Sequence, residues 1–326
     1  MKRVLLSAFS MIDPETYREH LREAVSEPVG IEVAQLGSTD RLIEAGTGFD
    51  AVVVDVDTPV TAEAIGALGD ELEVIARAAV GVDGVDVAAA TDAGVRVTRV
   101  PEYCTDEVAT HSLSLLFACL RSVTTYDDAV ADGRWTWEDG RPIRRVSEST
   151  IGLLSFGPIA RRAAEQLSGF GAELLAHDPF VDGDRMDELG VEKVAFEALF
   201  DRSDHVAVYA PLTPSTRGLV DADALSRLSS HSVVVNVGRG PVIDRDALLE
   251  VLESGTIKAA GLDVLAEEPP ADDPLVGHDD AVVTPHAAWY SEEAREELNR
   301  SAAADVAAVF NDEVPDGRVD PDADWL

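Results

Sequence analysis

The sequence predicts an α/β protein made of two doubly wound parallel-sheet domains, one inserted into the other. Three observations predict it. Short apolar runs of strand length alternate with stretches of helix length along most of the chain. Residues 124–149 break that alternation once and so separate two sets of strands. A last helical stretch begins after residue 291 and is expected to pack back on the first domain. The expected division is therefore 1–99 plus 291–326 for a discontinuous domain and 100–290 for the inserted one.

Composition supports two cores, since 46% of the 326 residues are hydrophobic. No apolar run is long enough to predict a membrane span. The first ten residues have too short an apolar run for a secretion signal and read as a strand. Cys104 and Cys119 do not make a disulfide framework, so both are read as reduced thiols of a cytoplasmic protein. Charge is the unusual feature: 62 acidic against 26 basic residues, a net of −36, with only Lys2, Lys193 and Lys258 as lysines. The acids are spread over an apolar background, which excludes disorder as the explanation. Such a surface repels itself in dilute buffer and is screened at high ionic strength, as in a salt-rich cytoplasm. It also makes nucleic acid an unsuitable partner.

Residues 4–7, 31–35, 51–55, 72–77 and 96–99 read as the strands of the first domain, with helices starting near Pro14, Arg41, Thr61 and Val87. The loop from Arg77 to Asp86 follows a strand and precedes a helix, the place where α/β domains put ligand contacts. Arg77 there can face an anion and the amides of Val80 and Gly81 can cradle one, although a plain strand-to-helix turn fits the same residues. Val100-Pro101 begins a crossing, after which Thr105 is placed to cap a long apolar helix to about Leu120. The irregular segment 124–149 carries Trp135, Trp137 and an arginine-rich run. It reads either as an excursion that packs on a second subunit or as a long surface loop.

The stretch 151–179 then sets the character of the inserted domain. Ile151-Gly-Leu-Leu154 has strand length and Ser155-Phe-Gly157 is a tight turn. Pro158 suits the first helical turn, where its missing N–H would be unpaired anyway. The helix is expected over 159–168, stopped by Gly169 and Gly171, and a second strand over 173–177 ends in Asp178. In such a βαβ unit Gly157 lets the backbone approach a pyrophosphate and the helix N-terminus offers amides and a positive dipole. Asp178, about twenty residues on, takes a ribose diol. A carboxylate repels a 2′-phosphate, so Asp178 favours NAD over NADP. Ser155 and Ala160 stand where glycines are usual, and an ordinary crossover without a ligand is the plain alternative. Further strands are expected at 205–209, 232–236, 258–263 and 281–284, with helices from near Asp221 and Asp244. Ser291 caps the last helix, which runs to about Asn311, and the acidic tail 312–326 is expected to be loosely held.

Three segments that follow successive strands carry reactive groups: Asn236-Val-Gly-Arg239-Gly, the run from Gly261 through Asp263 to Glu268, and Thr284-Pro-His286-Ala-Ala-Trp289. Strand C-terminal ends place them at one crevice with the cofactor. Arg239 can hold a carboxylate bidentately, and His286 can exchange a proton near neutral pH while Glu268 orients it. Asp263 can accept from a nicotinamide carboxamide. Each residue alone also fits a surface or turn role; it is their joint placement that points to hydride transfer with proton transfer. No metal is expected.

Over nearly its whole length the chain resembles the D-isomer-specific 2-hydroxyacid dehydrogenases, and His286-Ala-Ala-Trp289 is similar to their C-terminal-binding-protein-like branch. The resemblance implies a Rossmann nucleotide-binding domain inserted in a flavodoxin-like substrate domain, with closure over substrate. It also implies a homodimer formed by the nucleotide domains. It implies a catalytic set of Arg239, Glu268 and His286, and substrate carboxylate contacts at Arg77, Val80 and Gly81. Trp289 either walls the substrate pocket or stiffens its loop. NAD contacts are implied at Val108, Ser155, Gly157, Pro158, Ile159, Asp178, Tyr209, Ala210, Pro211, Thr213, Val237, Gly238 and Asp263. The leading expectation is an NAD-dependent reductase of small 2-oxo acids. The competing one is an NAD(H)-sensing corepressor with a protein partner and little turnover. From charge alone, the unfolding midpoint is expected to rise between dilute buffer and molar potassium chloride, and thermal melts at both ionic strengths measure this.

Overall fold

Runs of valine, isoleucine, leucine and alanine make the first sheet of this computed structural model, which describes residues 1–323. The first unit comprises Met1–Tyr103 with Ser291–Leu326, and the second is Cys104–Tyr290. In the first, β1 (Arg3–Ser7), α1 (Pro14–Ala24), β2 (Gly30–Ala34), α2 (Thr39–Gly46), β3 (Ala51–Val54), α3 (Ala62–Leu68), β4 (Val74–Arg77), α4 (Val87–Asp92) and β5 (Arg96–Arg99) alternate strictly. The strands are parallel in the order β2-β1-β3-β4-β5. β3 and β4 are buried at every position, as strands covered on both faces must be. Asp13, Ser38, Thr61 and Asp86 cap the four helices by accepting first-turn amides, so each helix start is written in its local sequence.

The C-terminal helix Glu292–Phe310, capped by Ser291, belongs to this unit. Asn299, only 2% exposed, ties it to the start of α1. Its Oδ1 accepts the Asp13 N–H at 2.8 Å, and its Nδ2 donates to the Met11 carbonyl at 3.0 Å. Residues 312–323 correct the expectation of a loosely held tail, and 324–326 lie outside the described residues. The Arg99 N–H donates to the Gly317 carbonyl, and the Val319 N–H to the Val97 carbonyl, each at 2.9 Å, so the tail lines β5 as an antiparallel edge. Gly317 makes this possible, because a Cβ there would overlap the Arg99 carbonyl and the Asp305 carboxylate.

The second unit opens with α5 (Thr105–Leu120) and α6 (Val123–Ala131). The cap position of α5 falls on Cys104 rather than Thr105, while Asp106 and Glu107 complement the dipole of the first turn. Two 3-10 turns, Trp137–Gly140 and Val146–Glu148, follow. The irregular segment is therefore partly helical, and it is pinned internally by the Tyr126 hydroxyl on the Trp137 carbonyl at 2.7 Å. Next come β6 (Thr150–Leu154), α7 (Pro158–Leu167), β7 (Glu173–His177), α8 (Gly183–Asp187), β8 (Val191–Lys193), α9 (Phe196–Arg202), β9 (His205–Val208), α10 (Ala222–Ser226), β10 (Val233–Asn236), α11 (Arg245–Glu253), β11 (Ala259–Leu262) and β12 (Ala281–Val283). The parallel order is β12-β11-β10-β9-β6-β7-β8. Chain direction across the sheet reverses between β6 and β9, which is where a doubly wound sheet opens a crevice at its C-terminal edge. The edge strand β8 escaped the sequence pattern because only Val191 of its three residues is buried.

Asp305 on the C-terminal helix is 4% exposed and accepts the Gly317 N–H at 3.0 Å. Burial, with Asp316 nearby, raises its carboxyl from the usual 3.8 to about 6 despite that bond. A carboxyl raised in the folded state favours folding while protonated, so its contribution falls as pH rises from about 4 to about 6 and is unfavourable above. Asp305→Asn keeps an acceptor for Gly317 and removes the charge. It is expected to stabilise the protein by about 2 kcal/mol at pH 7.5, with the gain fading near pH 4 in denaturant titrations.

Candidate active site

The loops after β6, β9, β10, β11 and β12 all leave the C-terminal edge of one parallel sheet. In the first of them Ser155 adopts φ 75°, the left-handed backbone that explains why glycine is usual there. Its hydroxyl donates to Asp178 Oδ2 at 3.3 Å, the Phe156 N–H to the same oxygen at 2.8 Å, and the Phe180 N–H to Oδ1 at 2.9 Å. Asp178 is thus a brace beneath the turn, 7% exposed, rather than an unencumbered carboxylate at a strand tip. Ala160 is fully buried, so its methyl is accommodated where a third glycine is usual.

Gly157 is the N-cap of α7 and offers no side-chain capping bond. A Cβ there would meet nothing within 4 Å, so open space lies in front of the first-turn amides of Ile159 and Ala160, while Pro158 contributes none. That cradle, with a helix dipole behind it, fits a pyrophosphate. Among the other residues implied to meet the cofactor, Val108, Ala210 and Val237 are buried. The Tyr209 hydroxyl lies 2.8 Å from Ser112 Oγ on α5. Gly238 passes so near the next loop that a Cβ would come within 2.6 Å of the Ala210 carbonyl oxygen. Pro211 and Thr213 form a turn closed by the Thr213 N–H donating to Thr216 Oγ1 at 2.8 Å and by Thr216 Oγ1 donating to the Pro211 carbonyl at 2.6 Å.

Loop contacts assemble the reactive groups. Gly240 lies directly against the loop after β11, and a Cβ on it would overlap the Leu265 carbonyl. The loop bearing Arg239 is therefore locked against the loop bearing Glu268. Glu268 Oε1 accepts the Leu265 N–H at 2.8 Å, and Oε2 lies 2.6 Å from His286 Nδ1. Burial opposes ionisation of Glu268, but the His286 hydrogen bond and charge, the Leu265 amide and the Arg239 charge outweigh it and hold the carboxyl below its ordinary value. An ionised Glu268 can only accept, so Nδ1 of His286 carries a proton. Nε2 then points elsewhere, with no partner among the described residues, as a proton-exchanging nitrogen requires. One Arg239 Nη donates to the Gly238 carbonyl at 2.9 Å, which anchors the guanidinium on its own loop.

The backbone of His286 has φ 52°, strained for a residue with a side chain. Asp263 holds it there. Its carbonyl accepts the His286 N–H at 2.8 Å, Oδ1 the Ala287 N–H and Oδ2 the Ala288 N–H, both at 2.9 Å. The carboxylate, 2% exposed, also accepts the Thr284 hydroxyl at 2.6 Å. Most of the acceptor capacity of Asp263 is spent on the His286 loop, so the carboxamide-acceptor role expected of it draws on what remains. Trp289 follows, half-buried and edge-on to Tyr290 with ring centroids 5.5 Å apart.

In the first unit Arg77 also departs from expectation. It is 4% exposed, and its guanidinium donates to the backbone carbonyls of Asp55, Val56 and Thr58, so it braces the loop after β3. The Val80 and Gly81 amides have no partner among the described residues, which suits the anion-cradling role read from sequence. The Val80 carbonyl is held by Arg99 at 2.9 Å. Sequence reasoning missed Gly240 and the Asp263 grip, although the glycine after Arg239 and the hydroxyl two residues before His286 were visible signals.

The family described as D-isomer specific 2-hydroxyacid dehydrogenase, NAD binding domain, matches residues 113–288. The chain belongs to this family. A D-3-phosphoglycerate dehydrogenase of Mycobacterium leprae is 36% identical over 88% of this chain and 54% of its own length. The chain thus spans about half the length of such relatives. A glyoxylate reductase of Korarchaeum cryptofilum is 36% identical over 84% of this chain and 83% of its own. The crystal structure of the TT0316 protein from Thermus thermophilus superposes with a TM-score of 0.87 at 29% identity, covering 98% of this chain and all of that one. Within this dehydrogenase fold, Gly240→Ala is expected to cost more than about 3 kcal/mol, because backbone rather than a flexible side chain must yield, and unfolding midpoints in denaturant test it.

Proposed function

We propose that the chain is an NAD(H)-dependent D-2-hydroxyacid dehydrogenase that reduces a small 2-oxo acid. The observation that carries this is the imidazole of His286 held through Nδ1 by an ionised Glu268, with Arg239 on the adjoining loop. Arg239 binds the substrate carboxylate with its planar fork. His286 donates the Nε2 proton to the 2-oxo oxygen and becomes neutral, and Glu268 stabilises the imidazolium from which that proton leaves. Bound NADH supplies the hydride. The Ile159 and Ala160 amides hold the pyrophosphate, Asp178 faces the adenosine ribose with what acceptor capacity it retains, and Val80 and Gly81 offer further amides to an anion. Glyoxylate reductase among the relatives supports a small, unphosphorylated acid.

The finer parts of the reading rest on separate features. Trp135 and Trp137, 89% and 69% exposed on a segment with its own internal hydrogen bonds, support a homodimer contact there. The net charge of −36 supports a salt-rich cytoplasm. The His286-Ala-Ala-Trp289 string supports the C-terminal-binding-protein-like branch, in which NAD(H) sensing competes with turnover as the role.

A panel of 2-oxo acids assayed with NADH and NADPH in molar salt tests the proposal. Turnover with NADH is expected, together with a loss of at least about a hundredfold in kcat for His286→Ala. Arg239→Met is expected to lower kcat/KM by about a thousandfold. NADH binding without turnover of any acid on the panel would favour the sensing role instead.

A further inference from the structure

We propose that His111 and Thr284 are positioning residues for His286, acting through the carboxylate of Asp263; the proposal rests on His286 being the proton donor. Thr284 Oγ1 donates to Asp263 Oδ1 at 2.6 Å. His111 Nε2, on α5, lies 3.0 Å from the same hydroxyl and 3.5 Å from Asp263 Oδ1. A hydroxyl has one proton, and here it is committed to Asp263. His111 must therefore present Nε2–H and donate to Thr284, which polarises the hydroxyl and strengthens its bond to the carboxylate.

Neither residue touches the His286 ring. Their effect passes through the Ala287 and Ala288 amides that the Asp263 carboxylate captures, beside the His286 amide on the Asp263 carbonyl, and hence through the backbone at φ 52° that sets the direction of the ring. That conformation is disfavoured for a residue with a Cβ and lasts only while its surroundings over-determine it. The anchor at the far end is firm, since α5 presses on β11 so closely that a Cβ on Gly261 would come within 2.9 Å of Leu115 Cβ. The chain of contacts thus runs from a packed helix to the catalytic loop. Loosening it leaves the Glu268 hydrogen bond to orient the imidazole alone, and small misplacements of a reacting group are costly in rate.

Two pairs of variants test this, Thr284→Val with Thr284→Ser and His111→Leu with His111→Gln. Thr284→Val and His111→Leu remove the hydrogen bond, whereas Thr284→Ser keeps the hydroxyl and His111→Gln keeps an N–H donor. The direct readout is hydrogen exchange at the Ala287 and Ala288 amides in the protein without cofactor, expected to accelerate at least about tenfold in the Thr284→Val and His111→Leu variants. In turnover assays kcat is expected to fall about tenfold with KM for the oxo acid and Kd for NADH within about twofold, and the Thr284→Ser and His111→Gln variants are expected to retain both readouts near those of the parent. Unchanged exchange, unchanged kcat, or an equal loss in Thr284→Ser and His111→Gln proteins that melt normally would overturn the proposal. If Thr284→Val does not fold, the His111 pair decides alone. His286→Ala run alongside separates the two levels: full activity there removes the donor reading, whereas an inactive His286→Ala with an unperturbed Thr284→Val removes only the positioning role.

Discussion

Three successive amides converge on one aspartate, and the site depends on that convergence. Asp263 gives its carbonyl to His286 and its two carboxylate oxygens to Ala287 and Ala288. A buried carboxylate left with unfilled acceptors is expensive, and a left-handed backbone at a residue with a side chain is disfavoured. Each problem answers the other here. The loop supplies donors to the Asp263 carboxylate at 2% exposure, and Asp263 supplies the hold that keeps the loop turned. The direction of the imidazole is then a property of the backbone before any substrate arrives, which is the pre-organisation that proton transfer requires.

The same device recurs at other strand ends. Asp178, after β7, accepts the amides of Phe156 and Phe180. Asp55, after β3, accepts the Asp57 amide at 2.8 Å and the hydroxyls of Ser7 and Thr58. A parallel sheet ends in loops whose amides have lost their ladder partners, and a short acidic side chain at the strand tip satisfies them without lengthening the loop. In a chain with 62 acidic residues these few buried ones hold loops in place, a role that composition cannot separate from the surface charge. Close backbone contact complements them. Gly238 and Gly240 let neighbouring loops touch, and that touching holds the loop of Arg239 against the loop of Glu268.

This explains what was legible in the sequence. Strand and helix periodicity, the helix starts near Pro14, Thr61, Asp221 and Asp244, the cap at Ser291, and the placement of Arg239, Glu268 and His286 after strands are local signals, and the structure carries them out locally. What local pattern does not carry is how a polar group is spent. Arg77 and Arg239 are both arginines at or just past strand ends, yet one is turned onto three carbonyls of the loop after β3 and the other is anchored on its own loop near a carboxylate. Asp178 and Asp263 likewise read as ligand groups, but long-range partners claim most of their acceptors. The tail missed its place for the same reason: its attachment depends on Gly317 meeting Arg99 and Asp305, which are remote in sequence.

The electrostatics of Glu268 close the argument. Burial alone would push its carboxyl upward, toward the protonated form that donates where it must accept. His286, the Leu265 amide and Arg239 reverse that, so the carboxyl sits below its ordinary 4.5. Its contribution to stability is accordingly present above that value and lost as pH falls through the lower, folded one. An ionised Glu268 fixes the proton on Nδ1 and leaves Nε2 as the nitrogen that gains and loses one. Arg239 therefore acts twice in the proposed reaction, as the seat of the substrate carboxylate and as part of the field that keeps the His286 orienter charged.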